Sequence, residues 1–243
     1  MDVETPFARM KLMMSDAAMD RLYGAHVAIF GIGGVGGHTA EALARSGVGE
    51  LTLVDFDTVS LSNLNRQIIA LHSTLGAYKA DVMRARILDI NPNAIVHSKV
   101  MRYCEQTRDE LFAPRYDFVV DAIDTVTHKL DLICTAHARQ IPIISAMGAG
   151  NKFDPTAFTV TDLAKTHDCP LARVMRKELR SRGIEHHPVV FSPEPPQTPR
   201  PLSNAVSEGR RSVPGSVAWV PGCAGMILAG EVVRRLTVDT DDK

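Results

Sequence analysis

The sequence has no CxxC pair, and its four cysteines, Cys104, Cys134, Cys169 and Cys223, lie far apart. That spacing argues against a zinc ribbon and a disulfide scaffold, and fits thiols kept in a reducing cytoplasm. Net charge is nearly absent, −1 over 243 residues. No whole-molecule field therefore attracts a polyanion, and any nucleic acid has to be held by a local patch. A long unbroken apolar run is missing too. The stretch from Val217 to Val233 is interrupted by Pro221, Gly222, Gly225, Gly230 and Glu231, so it reads as a buried strand and helix and not as a membrane span. The first eleven residues carry two acids and no apolar core of the kind a signal peptide needs. There is no internal repeat. What is present is an ordinary hydrophobic fraction, 45%, in a chain long enough for one large α/β domain or two small ones.

The first 150 residues alternate strand and helix signals. The apolar run from His26 to Phe30 runs straight into glycines. Thr39 to Ser46 then puts Ala40, Leu43 and Ala44 on one helix face, with Gly47 as the stop. Leu51 to Val54 is the next strand and ends at Asp55. Strand, turn, helix and strand in about thirty residues make a βαβ unit with parallel strands. Further helices are predicted over Lys79–Ile90 and about Lys129–Arg139. Further strands are predicted over Ala94–Val100, Phe118–Asp121 and Ile141–Ser145. The expected fold is α/β and Rossmann-like: a doubly wound, mostly parallel sheet with helices on both faces. Beyond Gly150 the pattern predicts a strand over Ala157–Val160 and a basic helix over Leu171–Arg182, stopped by Gly183. Residues 188–214 hold seven of the fourteen prolines and are expected to form a loop or flap. A strand at Val217–Val220 and a helix at Met226–Leu236 close the pattern, before a solvated tail. The whole is read as one domain, with a nucleotide-binding half at 1–150 and a substrate and flap half at 151–243.

Three features carry chemistry. Gly31, Gly33, Gly34 and Gly36 lie in a G-x-G-x-x-G pattern between a predicted strand and a predicted helix. There a tight turn and free helix N–H groups can hold phosphate. Asp55 ends the second strand, where a carboxylate can accept ribose hydroxyls, which suits NAD and ATP equally. The polar stretch that follows contains Asp57, Asn63 and Arg66, and Lys79 heads the next helix. Arginine forks and lysine point charges suit triphosphate oxygens.

Four segments together resemble the ubiquitin-activating-enzyme-like adenylation family: GIGGVGG, DFDTVSLSNLNRQ, GAYKAD around Lys79, and DAIDT at Asp121–Thr125. The likeness runs from about Phe7 to Leu236. It implies that the glycine loop holds ATP phosphates, that Asp55 holds the ribose, and that Asp57, Asn63, Arg66 and Lys79 complete the nucleotide contacts. It implies Mg²⁺ on Asp124, with Asp121 as a weaker candidate. It also implies an arginine, Arg9, reaching the neighbouring subunit's phosphates in a homodimer. Arg66 and Lys79, with Mg²⁺ held by Asp124, would stabilise charge on the reacting phosphate.

The segments beginning at Phe153 and Gly215 resemble the branch of that family that dehydrates threonylcarbamoyladenosine in tRNA. The implied reaction is adenylation of the threonyl carboxylate, then ring closure with loss of AMP. An activator of a ubiquitin-like or sulfur-carrier protein shares the ATP site, but the zinc-binding CxxC pairs of the sulfur-carrier activators are missing here. A NAD-binding oxidoreductase accounts for the glycine loop and not for Asn63, Arg66, Lys79 and Asp124. Arg173, Arg176, Lys177 and Arg180, with Arg182 nearby, form a basic helix that can meet tRNA phosphates or serve as a plain solvated face. Cys169, at a helix start, is a conceivable thioester nucleophile, although an intramolecular ring closure needs none. Cys223 is expected as a packed small residue at a turn. A sulfur-transfer protein is a further possible partner.

Overall fold

The computed structural model describes residues 5–200 and 214–238. Much of the proline-rich 188–214 segment, and nearly all of the tail, lie outside that range. Two helices, α1 (Ala8–Lys11) and α2 (Asp16–Gly24), lead into β1 (His26–Phe30), α3 (Gly36–Arg45), β2 (Glu50–Val54), α4 (Lys79–Ile90) and β3 (Ile95–Lys99). Then come α5 (Arg108–Leu111), β4 (Phe118–Asp121), α6 (Val126–Ala138) and β5 (Ile143–Ala146). The C-terminal part holds β6 (Thr159–Asp162), α7 (Pro170–Arg180), β7 (Pro188–Phe191) and α8 (Trp219–Thr237).

The strands form one seven-stranded sheet in the order β3-β2-β1-β4-β5-β7-β6. All neighbours are parallel except β6, which runs antiparallel to β7. β1 is buried along its whole length, as a parallel strand covered on both faces must be. Met19, Leu43, Met83, Ile87 and Leu228, from α2, α3, α4 and α8, fill one face. Leu132, Ile133, Met175 and Leu179, from α6 and α7, fill the other. Among the described residues no helix is long and apolar enough to cross a membrane.

β1, α4 and β4 match the expected bounds, and Gly47 ends α3 with φ +84°. Three expectations change. Residues 188–191, expected in a proline-rich loop, form β7 between β5 and β6. Pro188 is tolerated because it is the first residue of the strand, while Val189, Val190 and Phe191 are buried. The strand expected at Ala157–Val160 starts later, at Thr159, after a short 3-10 turn over Pro155–Ala157. Finally, Val217–Val220 is no strand, because α8 already begins at Trp219. Pro221 falls in its first turn, where a missing N–H leaves no hydrogen bond unmade. Gly225 lies against α3: a Cβ there would stand 2.4 Å from the Val35 carbonyl oxygen. Cys223 thus belongs to a helix and not to a turn.

Candidate functional site

The strand order reverses between β1 and β4, and the loops leaving their C-terminal ends diverge there. Such a switch point opens a crevice suited to ligands. Here the crevice is a cavity of about 850 Å³, within the range of about 300–1,000 Å³ usual for small-molecule sites.

Its floor is the glycine loop. Gly31 takes φ +91°, and a Cβ on Gly36 would collide with the Gly31 carbonyl oxygen at 1.8 Å, so the turn requires glycine at both positions. Gly33 differs. A Cβ there would meet only the Gln67 amide nitrogen, at 3.8 Å, which leaves its backbone open to a ligand. Val35 caps α3 without a side-chain hydrogen bond; the Gly37 amide already donates to the Gly33 carbonyl at 3.0 Å, which leaves the Gly36 amide at the helix start for an anion.

Asp55 is buried at the end of β2. Its Oδ2 accepts the Ile32 amide at 2.7 Å and its Oδ1 the Asp57 amide at 2.9 Å. Each oxygen keeps a further lone pair for a diol. Burial pushes this carboxyl above its ordinary pKa, opposed by the Asp57 amide, the Lys79 ammonium and the Ile32 amide. Lys79 Nζ lies 2.9 Å from Asp57 Oδ2. Asn63 is buried, and its Oδ1 accepts the Ser60 amide. Arg66 Nη1 donates to the Ser62 carbonyl at 2.7 Å. Asn63, Arg66, Asp57 and Lys79 all line the cavity, as does the exposed Asp124.

Asp121 does not line it. Its carboxylate is fully buried beneath the loop after β4, 2.8 Å from Lys129 Nζ, which also donates to the Ile123 carbonyl. That places Asp121 in a structural ion pair and away from any cation in the cavity. Behind it, Ser145 Oγ lies 2.8 Å from His187 Nε2, and His187 Nδ1 lies 3.3 Å from His137. Burial pushes His187 down to about 3, with smaller contributions from His137, Lys129 and Arg235. His187 is thus neutral in the fold but protonates in the unfolded chain below its ordinary value of 6.5. The unfolded state then binds the extra proton, so stability should fall as pH drops from about 6.5 towards 3. Urea midpoints measured across that range check this, and His187→Gln should flatten the fall.

The cavity also holds residues that sequence reasoning missed. Gln67 is buried, and its Oε1 has no hydrogen-bond partner among the described residues. It directly follows Arg66 in the same motif, which was the available signal. Lys152 is buried and donates to the Ser192 and Glu194 carbonyls. Burial lowers its pKa, opposed by Cys169, Glu194 and Asp168. Nothing local in the sequence marks it. Arg102 stacks 4.1 Å from the Phe56 ring centroid, and both line the cavity. Cys169 is the N-cap residue of α7 and faces the same space.

Two groups of residues lie elsewhere. Arg9 is exposed on α1 and does not line the cavity. On α7, Arg173, Lys177 and Arg180 are exposed, but Arg176 donates to the carbonyl and hydroxyl of Thr166 at 2.6 and 2.7 Å. Arg182 pairs with Glu178.

This cavity, with its glycine loop and cationic wall, coincides with a family profile: the ThiF family matches residues 8–243. The chain belongs to the ThiF family. Within that family it is 43% identical to the tRNA threonylcarbamoyladenosine dehydratase of Bacillus subtilis, over 98% of this chain and 96% of that one. The crystal structure of the Escherichia coli tRNA N6-threonylcarbamoyladenosine dehydratase in complex with ATP superposes with a TM-score of 0.86. Its identity is 34%, and the match covers 95% of this chain and 93% of that one. The Escherichia coli molybdopterin-synthase adenylyltransferase is 33% identical over a shorter part, 62% of this chain and 60% of that one. The ThiF-family likeness to the dehydratases thus extends through the C-terminal half, where β6, α7, β7 and α8 complete the fold.

Proposed function

We propose that this ThiF-family enzyme is an ATP-dependent tRNA threonylcarbamoyladenosine dehydratase. The observation that carries the reading is one cavity that joins the glycine loop, Asp55, Arg66, Lys79 and Asp124, in a chain that matches a dehydratase over nearly its full length. The threonyl carboxylate attacks the α-phosphorus of ATP and pyrophosphate leaves. A nucleophile in the same side chain then attacks the activated carbonyl, AMP leaves, and the net change is loss of water. The glycine loop and the α3 amides hold phosphate, Asp55 orients the ribose, Asn63 and Gln67 position the nucleotide, and Arg66 and Lys79 stabilise charge on the phosphates. Oxygen donors on an open rim suit Mg²⁺, and Asp124 would hold it. Bound there, the ion would neutralise phosphate charge.

Arg9 is assigned to the neighbouring subunit's cavity in a homodimer, which its exposure on α1 away from its own cavity supports. Four free cysteines fit the cytoplasm. Docking of a sulfur-transfer protein rests on the family resemblance alone. We read the chain as one adenylation domain with halves at 1–150 and 151–243, since a single sheet draws strands from both.

The test is incubation with ATP, Mg²⁺ and modified tRNA, followed by nucleoside mass spectrometry. A product lighter by one water is expected. ATP–pyrophosphate exchange driven by a sulfur-carrier protein ending in Gly-Gly, and not by modified tRNA, would replace this reading with a carrier activator.

Two predictions arise here. Cys169→Ala should keep most of the turnover, because the attacking atom already belongs to the substrate. A folded but inactive Cys169→Ala protein would restore a covalent enzyme intermediate. For tRNA, the exposed cations of α7 are the contacts to remove, and Arg176 is not, because Thr166 already occupies it. Replacing Arg173, Lys177 and Arg180 by alanine should lower the slope of log affinity against log salt by about two units and leave ATP affinity unchanged. An unaltered slope would make α7 a solvated face.

A further inference from the structure

At the opposite end of the strands, about 16 Å from the glycine loop at ~3.3 Å per residue, three potential ligands converge from neighbouring strands. The register aligns His26 of β1 with Glu50 of β2, and Thr52 of β2 with His97 of β3. Side chains alternate along a strand, so His26, Glu50, Thr52 and His97 all project from one face of the sheet. Glu50 Oε1 lies 2.7 Å from His97 Nε2 and 3.4 Å from His26 Nδ1. Two ligands held tetrahedrally at about 2.0–2.1 Å from zinc are separated by about 3.3 Å, so small side-chain shifts suffice.

The surroundings fix the buried ligand. His26 Nε2 lies 2.8 Å from Thr52 Oγ1. In the tautomer that donates this hydrogen, Nδ1 turns its lone pair towards Glu50, the outer-shell arrangement that orients metal-bound histidines. The Tyr116 ring packs edge-on against the imidazole, and Asp117 Oδ2 accepts the His26 amide. His97 and Glu50 are partly exposed, at 43% and 34%, which leaves a path from solvent.

The geometry points to a site for a zinc-like divalent cation on His26, Glu50 and His97. Two neutral imidazoles and one carboxylate are a donor set that zinc favours, with solvent as the fourth ligand. The ion ties the edge strand β3 to β2 and β1 and stabilises the fold by mass action. It is separate from the nucleotide cavity and does not depend on the proposed reaction.

The test uses the full chain, stripped with chelator and free of nucleotide, beside His97→Ala and Glu50→Gln. Melting temperatures of all three in chelator establish that the variants fold. Co²⁺ is then followed by visible absorption and Zn²⁺ by competition and by melting. The wild-type chain should bind one equivalent more than either variant, with zinc displacing cobalt, and zinc should raise its melting temperature alone. Loss of that equivalent, or weakening by roughly tenfold or more, is expected in both variants. Equal zinc binding in all three proteins assigns the metal elsewhere and overturns the site, as does no binding to the wild type.

Discussion

Lys79→Ala and Arg66→Ala should each lower turnover of modified tRNA at least tenfold in protein that still folds. A charge-assisted contact to phosphate contributes about 1.5–3 kcal/mol, which corresponds to about 10- to 160-fold in rate where the contact tightens in the transition state. Folding should survive for reasons visible around each side chain. Lys79 is buried, but its direct partner Asp57 is half-exposed and can return to water, and the buried Asp55 keeps the Ile32 and Asp57 amides. Among the described residues Arg66 bonds only the neighbouring Ser62 carbonyl and Asn65 side chain. Single-turnover rates with saturating ATP, read beside melting curves, make the comparison. Wild-type rates in both variants would remove these residues from the site.

The largest effect on stability is expected at Lys129. Lys129→Met leaves the Asp121 carboxylate with no cation in a position fully closed to solvent. Breaking such a buried pair from one side costs about 3–5 kcal/mol, a large share of a typical total of about 5–15 kcal/mol. Lys129 also holds the Ile123 carbonyl, one residue before Asp124, so partial unfolding should begin beside the cavity. Burial favours the protonated form of Asp121, with Lys129 the main opposing group, and removing the lysine leaves the carboxylate only neutral partners, the Ser145 hydroxyl and the Ile123 amide. Replacing both residues, Asp121→Asn with Lys129→Met, should recover part of the loss, because no uncompensated charge remains. Urea unfolding of the single and double variants decides the matter. A single variant within about 1 kcal/mol of wild type would mean that the pair is not desolvated.

Much of this protein is legible from short-range pattern. A histidine and four apolar residues before a glycine loop mark the bounds of β1, and the pattern over Lys79–Ile90 marks α4, because one strand or helix is specified by residues within a few positions of one another. Asp55, Asn63, Arg66 and Lys79 could be named for the same reason: each sits at the end of such an element or in the loop beside it. The cavity unites them because parallel strands all deliver their C-terminal ends to one side.

Where the reading needed a partner distant in sequence, only the tertiary structure decided. Val189, Val190 and Phe191 become a strand because β5 and β6 supply hydrogen-bonding edges on both sides, which outweighs the proline content of the surrounding segment. Gly225 within α8 has to be glycine because α3 approaches too closely there to admit a side chain. Asp121 is withdrawn from the cavity by Lys129 on α6, and Arg176 is withdrawn from the surface by Thr166. Gln67 and Lys152 reach the site through burial that no local window records. The sequence by itself determined which residues could do the chemistry; the packing of one element on another determined which of them line the cavity.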